Sequence, residues 1–239
     1  MSRPASLNLW EWSAPEDARA NDTQQSPLDA RGATWNGEDL GPSDLREAQL
    51  CRCDIRGANL SQCQLEGADL RLALYDSHTV VPEGFELRTS GAVGPGAKLN
   101  GAFLNNSDLR GMDLRGAVLL GSYLSGADLS GAILDGVSLA GSDLRSANLR
   151  GAMCRGTRFG TCEMQMTDMR GADLENAALD TVESIKGADF SLCSGLEKAQ
   201  IEALLARAVE ELDCWNPHTR ATTRSSLESL LPSSASLST

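Results

Sequence analysis

Aromatic side chains are scarce in this sequence: Phe, Trp and Tyr make up only 4% of its 239 residues. Its apolar residues, 41% of the chain, are mainly Ala and Leu, which predicts a narrow, repetitive core rather than one filled by bulky rings. No apolar run approaches the length of about 18 residues that a membrane-spanning helix needs. Residues 1–22 lack the basic and then apolar layout of a secretory signal, so neither membrane insertion nor export is expected.

Basic side chains are also in the minority, with 21 Lys and Arg against 33 Asp and Glu and a net charge of −12. This balance argues against general binding to nucleic acids or anionic membranes. No glycine-rich phosphate-binding motif is present, and the two histidines, His78 and His218, have no nucleophile at a recognisable spacing. The sequence therefore predicts neither a catalytic residue nor a cofactor site.

A large apolar residue returns at every fifth position through the middle of the chain. The longer block of this repeat runs from Leu99 to Leu179, and the shorter one runs from Trp35 to Leu70. A small or modest side chain stands two positions before each large one, as Ala97 does before Leu99. The two blocks hold 25 units, or 125 of the 239 residues, so an internal repeat dominates the sequence.

A period of five matches neither the α-helix, with about 3.6 residues per turn, nor the two-residue alternation of a β-strand. It fits a chain that turns a corner after every unit, with one short extended piece per unit. The large residue and the small one before it then both point inward. Glycines such as Gly101, Gly111 and Gly116 often follow at the corner, where permissive backbone angles are useful.

The units GADLS, GANLR, GADLE and GSDLR resemble the A-(D/N)-L-x-x motif of the pentapeptide-repeat family. The resemblance implies an all-β solenoid: a right-handed, four-sided β-helix with about 20 residues per coil and about six or more coils. At a strand spacing of about 4.8 Å per layer, the repeats would stack to roughly 30 Å. We assign residues 33–72 and 97–192 to the two repeat blocks, and the second includes a last unit at 188–191.

Residues 73–96 interrupt the repeat and are predicted to form an insertion loop rich in Gly and Pro. The spacing from Leu70 to Leu99 is not a multiple of five, so the register must be reset between them. The stretch from Tyr75 to Phe85 also resembles an insertion of cyanobacterial pentapeptide-repeat proteins. Two interpretations stay open: Tyr75 and Phe85 contact a partner, or these side chains pack back on the solenoid.

The C-terminal part is predicted to end the solenoid with a helix over 194–214. Ser194 and Glu197 have the spacing of a capping box, and apolar residues follow on one helical face. That face comprises Leu196, Ile201, Leu204, Leu205, Ala208, Val209 and Leu212. An open β-helix end would recruit another chain, so the helix is interpreted as a cap, with an end-to-end dimerisation helix as the alternative. Residues 1–32 and 215–239 are predicted to be mobile tails.

The seven cysteines fit the interior of the repeat better than a metal site. Five of them take inward positions: Cys53, Cys63, Cys154, Cys162 and Cys193. Cys51 points outward, so its sulfur and that of Cys53 face opposite sides of the wall, and no second pair completes the ligand set of zinc. We therefore expect no metal and no cofactor. Buried free thiols suit a reducing compartment, which favours a cytoplasmic location.

Four apolar side chains at positions that should face water form a candidate partner-binding patch: Phe103, Val118, Leu120 and Tyr123. Phe103 and Tyr123 are four units apart and should stack on one wall, while Ile133 and Met153 form a smaller pair on another. Such a patch favours a protein contact, unless the insertion or a tail covers it. Both possibilities stay open.

These features favour a non-enzymatic scaffold or protein-binding module with an unnamed protein partner, present as a monomer or an end-to-end homodimer. The alternative is a DNA mimic, because quinolone-resistance members of the family resemble a short duplex and occupy the DNA site of gyrase. Residues 97–181 hold 8 basic and 10 acidic side chains, and residues 33–72 hold 4 and 7. A duplex of about 30 Å carries roughly 18 charges, so the repeats imitate it poorly. A third hypothesis places a ligand-binding or minor enzymatic role in the insertion or a tail.

Overall fold

The structure, a computed structural model, describes residues 27–232, which form two compact units divided between Lys98 and Leu99. In each unit, short extended segments form parallel bridges to segments one coil further on. Thr34 bridges Asp54 in the first unit, and Asp108 bridges Asp128 in the second. Bridging residues recur at every fifth position along the chain, so each coil passes through four walls. Each unit is therefore a four-sided β-helix.

The core of each unit is a stack of the large inward residues that the five-residue repeat predicts. Leu50 and Leu70 in the first unit and Leu104 and Leu124 in the second are completely buried. The small inward positions are buried beside them, as Ala127 is. Because a large and a small residue share each unit, the interior stays narrow and is filled with few aromatic rings.

Polar residues at the small inward position add hydrogen bonds between layers. Each donates to the backbone carbonyl at a large inward position of the preceding coil: Cys53 to Ala30 at 2.8 Å, Thr157 to Leu134 at 2.8 Å and Cys162 to Leu139 at 2.9 Å. These donors are fully buried, where an unpaired polar group would be costly. Their bonds tie one coil to the next.

The predicted insertion over 73–96 starts later and is more regular than the sequence suggests. Ala73 and Tyr75 are buried and continue the five-residue pattern, and Leu74 between them bridges Asp54. Val80 then bridges Asn59 although it stands one position later than a regular coil would place it. The additional residue is accommodated as a bulge.

The bulge before Val80 is held by the side chain of Asp76. Its carboxylate accepts hydrogen bonds from the backbone N–H groups of Gly57 and His78 at 2.9 Å and of Thr79 at 3.0 Å. Beyond it, the chain makes a one-turn 3-10 helix over Leu87–Thr89, in which Leu87 is buried. The segment is therefore folded onto its own unit.

The second unit confirms the predicted register slip after Leu179. Arg158 bridges Ala178 at the regular spacing of one coil, whereas Glu163 bridges Ser184, one position beyond that spacing. The last predicted unit, residues 188–191, forms as expected: Ala188 and Phe190 are buried, and Asp189 bridges Asp168.

The single helix predicted over 194–214 is instead two shorter helices, α1 (Lys198–Leu205) and α2 (Val209–Leu212). Ala208 leaves helical geometry, with φ −58° and ψ 141°, and this separates α2 from α1. Ile201, Leu204 and Leu212 are buried as expected, but Val209 is exposed because the break removes it from the predicted face.

The start of α1 also differs from the prediction. Ser194 does not cap the helix but bridges Asp173 and completes the last wall. Glu197 precedes the helix, and its backbone N–H donates to Oε1 of Gln200 at 2.9 Å. The same amide side chain donates to the carbonyl of Ala177 at 3.0 Å, which fixes the helix start on the solenoid.

The predicted tails are partly folded. In the C-terminal one, β1 (Trp215–Asn216) and β2 (Ala221–Thr222) form an antiparallel hairpin, and α3 (Thr223–Glu228) follows. In the N-terminal one, residues 27–32 already belong to the first coil, because Asp29 bridges Gln49. The rest of both predicted tails, residues 1–26 and 233–239, lies outside the described residues.

Residues 197–232, here called the C-terminal segment, bond the backbone of the last coil. Arg207 donates to the carbonyls of Val182 and Glu183, Asn216 to that of Gly187, and Thr223 to that of Ile185, at 2.8–3.1 Å. Glu211 and Ser226 accept from the N–H groups of Ile185 and Phe190 at 2.6 and 3.0 Å. Polar groups of the terminal coil are therefore paired with side chains of this segment.

Candidate functional site

The wall that begins at Phe103 carries two exposed aromatic rings in direct contact. Phe103 and Tyr123 are bridge partners in adjacent layers, and their ring centroids lie 4.8 Å apart with planes only 5° from parallel. Phe103 is 72% exposed and Tyr123 is 44% exposed. The stacking follows from the return of the coil to the same wall, which points both side chains outward. We call these two residues the aromatic pair.

The two other residues of the predicted patch are placed differently. Leu120 is 43% exposed, just before Tyr123 at the preceding corner. Val118 is only half-buried and bridges Ser138 on the neighbouring wall. The smaller predicted pair, Ile133 and Met153, are also bridge partners, and Met153 is 40% exposed.

Two carboxylates continue the wall of the aromatic pair, and sequence reasoning missed them. Tyr123 bridges Asp143, which in turn bridges Glu163. Nε and Nη2 of Arg145 donate to the two carboxylate oxygens of Asp143 at 2.9 and 2.7 Å. The same Nε lies 3.4 Å from Oε2 of Glu163. The hydrogen bond from Arg145 holds the pKa of Asp143 below its usual range, although burial opposes this. The regular one-coil spacing of these residues was the signal that could have found them.

Within residues 27–232, an Asp and an Arg separated by one residue form the same ion pair eight times. The pairs are Asp29–Arg31, Asp44–Arg46, Asp54–Arg56, Asp69–Arg71, Asp108–Arg110, Asp113–Arg115, Asp143–Arg145 and Asp168–Arg170. In each, Nε and Nη2 of the arginine donate to the two carboxylate oxygens, a two-pronged geometry that suits a guanidinium.

In these pairs, the positive charge of each arginine offsets the negative charge of the neighbouring aspartate on the surface. In the Asp44–Arg46 pair, the hydrogen bonds from the arginine side chain and backbone lower the pKa of Asp44 to about 2. A duplex surface, by contrast, carries closely spaced phosphates that are not matched by fixed cations of its own. The paired walls therefore differ from DNA in local charge as well as in total charge.

Tyr75, a predicted contact of the insertion loop, is not available to a partner. It occupies a large inward position, is buried, and donates its hydroxyl to the carbonyl of Pro95 at 2.8 Å. Burial raises its pKa to about 12. Of the two interpretations left open for Tyr75, its burial agrees with packing on the solenoid, at a position where the repeat usually has leucine. Phe85 is half-buried, and its contact role stays a prediction.

The cysteines are free thiols, most of them in the core as predicted. Cys53 and Cys162 are fully buried, and desolvation raises the pKa of each thiol to about 11. Over residues 27–232, no cluster of three or more His, Cys, Asp or Glu side chains could hold a metal ion. His78 lies exposed in the bulge of the first unit, and His218 follows β1 in the second.

Comparison with known proteins assigns the repeat. The model of pentapeptide repeats matches the sequence in eight copies, over residues 31–71, 96–131 and 122–160. Residues 31–71 and 96–160 are therefore pentapeptide repeats, the repeat whose resemblance implied a right-handed β-helix. No curated protein matches the sequence. None of the helices in the described part of the chain is long and apolar enough to span a membrane.

Solved structures similar to this chain include pentapeptide-repeat proteins and a resistance protein. One, from the Arabidopsis thaliana thylakoid lumen, is 27% identical with a TM-score of 0.30, covering 57% of this chain and 91% of that protein. HetL, involved in heterocyst differentiation regulation in the cyanobacterium Nostoc, is 22% identical with a TM-score of 0.23, covering 70% and 92%. A trypsin-treated variant of QnrB1, a plasmid-mediated fluoroquinolone resistance protein, is 14% identical with a TM-score of 0.43, covering 76% and 95%.

Proposed function

We propose that this chain is a non-enzymatic protein-binding module that contacts a protein partner through the aromatic pair. The observation that carries the proposal is the exposure of two stacked rings on an otherwise polar wall. Aromatic side chains contribute large contact areas at low entropic cost and are enriched where proteins bind one another. Leu120 extends the apolar surface at the adjoining corner.

Affinity capture from native cell extract tests this role, with wild-type protein beside the double variant Phe103→Ser/Tyr123→Ser. Both side chains point outward, so the fold should survive, and circular dichroism with thermal unfolding checks that it does. The matched control is Met153→Ser, which removes an exposed apolar side chain from a different wall. We expect a protein that wild type and the control retain and the double variant loses. Identical captures by all three would remove the aromatic pair as the contact.

The DNA-mimic alternative is a topoisomerase-protecting protein that binds DNA gyrase. The Asp–Arg pairs weigh against it, because carboxylates held by guanidinium groups present little uncompensated negative charge. A gyrase supercoiling assay separates the two functions. We expect supercoiling to be unaffected by the purified protein, and concentration-dependent inhibition would favour the mimic.

We assign the C-terminal segment as a cap rather than a dimerisation helix. Its support is the set of side-chain hydrogen bonds to Val182, Glu183, Ile185, Gly187 and Phe190, which would otherwise face the next layer. Equilibrium sedimentation is expected to give a monomer. A concentration-dependent dimer would instead support end-to-end pairing.

The free cysteines support the earlier expectation of a reducing, cytoplasmic compartment. Localisation of the tagged full-length protein by immunogold microscopy checks this, and labelling of an oxidising compartment would contradict it.

A further inference from the structure

The wall of the aromatic pair has an ordered chemistry along its length. Bridges place Phe103, Tyr123, Asp143 and Glu163 in successive layers, so two aromatic rings are followed by two carboxylates. Layers in a β-structure are about 4.8 Å apart, which puts Glu163 roughly 10 Å from Tyr123 along the wall. A bound segment lying along this wall would meet an apolar surface first and an acidic one next.

The carboxylates on this wall are not fully neutralised. One guanidinium, that of Arg145, serves both of them and directs its two hydrogen bonds to Asp143. Glu163 has the longer contact of 3.4 Å, and its side chain is 46% exposed. This corner of the wall therefore carries an excess of one negative charge that a partner can approach.

The stacked rings supply the apolar part of the wall, since each ring covers one face of the other. The sign of the charge is set by the acidic groups: residues 99–232 hold 12 basic and 18 acidic side chains. Glu163 and the unit around it therefore favour positive charge on the partner.

From this arrangement we infer that the partner binds through a basic segment, in which an aliphatic or aromatic anchor packs on Phe103 and Tyr123 and a Lys or Arg reaches Glu163. The inference rests on the proposed function and adds the chemistry of the partner. An extended chain advances about 3.3 Å per residue, so a separation of roughly 10 Å places the basic residue about three positions from the anchor.

A peptide-display experiment tests this chemistry without knowledge of the natural partner. Random linear 12-residue peptides are selected on full-length wild-type protein, after depletion on the Phe103→Ser/Tyr123→Ser variant. We expect the selected peptides to be enriched in Lys or Arg about three positions from a large apolar residue. Replacing that Lys or Arg by Glu in a synthetic selected peptide should weaken binding by about tenfold, because an attraction to Glu163 becomes a repulsion.

Binding of the synthetic peptide to two charge variants then locates the contact. Glu163→Gln should weaken it by up to about fivefold, the range of an exposed ion pair, and raising the salt concentration should weaken the wild-type complex similarly. Glu175→Gln is the matched control. Like Glu163, Glu175 shares a single arginine with an aspartate: Arg155 contacts both Glu175 and Asp173, away from the wall of the aromatic pair. This control should bind like wild type.

The outcomes separate the inference from the proposed function. Two results would overturn the basic-segment inference and leave a protein-binding role intact. The selected peptides could require the aromatic pair but lack Lys and Arg, or their affinity could be unchanged by Glu163→Gln. Failure to select any peptide that requires the pair also overturns it. Identical captures from the cell extract, by contrast, would overturn the proposed function itself.

Discussion

Arg207 and Glu211 stand on either side of the break at Ala208 and form an ion pair at 2.8 Å, while each also bonds the backbone of the last coil. The guanidinium donates to the carbonyls of Val182 and Glu183, and the carboxylate accepts from the N–H of Ile185. Both side chains are largely buried. This pair therefore connects the break between α1 and α2 to the end of the solenoid.

Arg207→Ala should lower the free energy of unfolding by about 2 kcal/mol, because it leaves Glu211 without its cation and two backbone carbonyls without donors. Urea unfolding followed by circular dichroism measures the change. The control Lys198→Ala removes the exposed pair with Glu202, at 3.5 Å, and should cost less than about 0.5 kcal/mol. Equal losses in the two variants would mean that the pair does not anchor the C-terminal segment.

Stability should fall on acidification through the Asp–Arg pairs. Hydrogen bonds from Arg46 lower the pKa of Asp44 to about 2, and those from Arg145 lower that of Asp143. Because the unfolded chain then binds more protons, the stabilisation is present above the unfolded pKa of about 3.9 and is lost as the pH falls through the folded pKa. The urea midpoint should be flat from about pH 7 to 5 and fall between about pH 4 and 2.

Carboxyl NMR titration checks the cause of that pH dependence. In Arg145→Gln, the pKa of Asp143 should return toward its ordinary value, while that of Asp44 should stay at about 2. If the pKa of Asp143 were unchanged in this variant, the assigned role of the Arg145 guanidinium would be contradicted.

Two glycines with left-handed backbone angles should differ in their tolerance of a methyl group. Gly131 has φ +67° and open space around its missing Cβ, so Gly131→Ala should cost only the backbone strain, about 1 kcal/mol. Gly195 has φ +83°, but a Cβ there would overlap the backbone of Glu175, so Gly195→Ala should cost about 3 kcal/mol or more. Thermal and urea unfolding compare the stability of the two variants. Equal losses of stability would contradict the close approach of Gly195 to the backbone of Glu175.

The buried thiols should resist alkylation in the folded protein. At pH 8, iodoacetamide should leave Cys53 and Cys162 unmodified, since both are inaccessible and burial raises the pKa of each to about 11. In denaturant all seven cysteines should react, as intact-mass spectrometry would show. Rapid modification of Cys162 without denaturant would contradict the packed interior.

Much of the fold can be predicted from the sequence because each five-residue unit repeats the same physical requirement. Once Leu104 and Leu124 are assigned inward, the outward side chains follow, and so do the stacked positions of Phe103 and Tyr123. The slip after Leu179 is visible for the same reason, since a change in spacing marks a change in register.

The features that the sequence left unpredicted depend on contacts between distant residues. Asn216, Thr223 and Ser226 belong to a Ser- and Thr-rich stretch typical of a mobile tail, yet their side chains bond the last coil and are buried. The break at Ala208 is likewise not indicated by local helix propensity, because alanine is the strongest helix former. Periodicity reports which side of the chain faces inward, but not which polar groups will find partners.

The coil returns to the same wall only after four units, and this makes insertions and deletions act as rotations. Removing one five-residue unit between Phe103 and Tyr123 would keep every inward position filled, yet would carry Tyr123 a quarter of a turn, onto the wall that Val118 now occupies. Removing four units would bring the walls back into phase. Two chains with this repeat therefore present the same outer face only when their length differences add up to whole coils, however similar their individual units are.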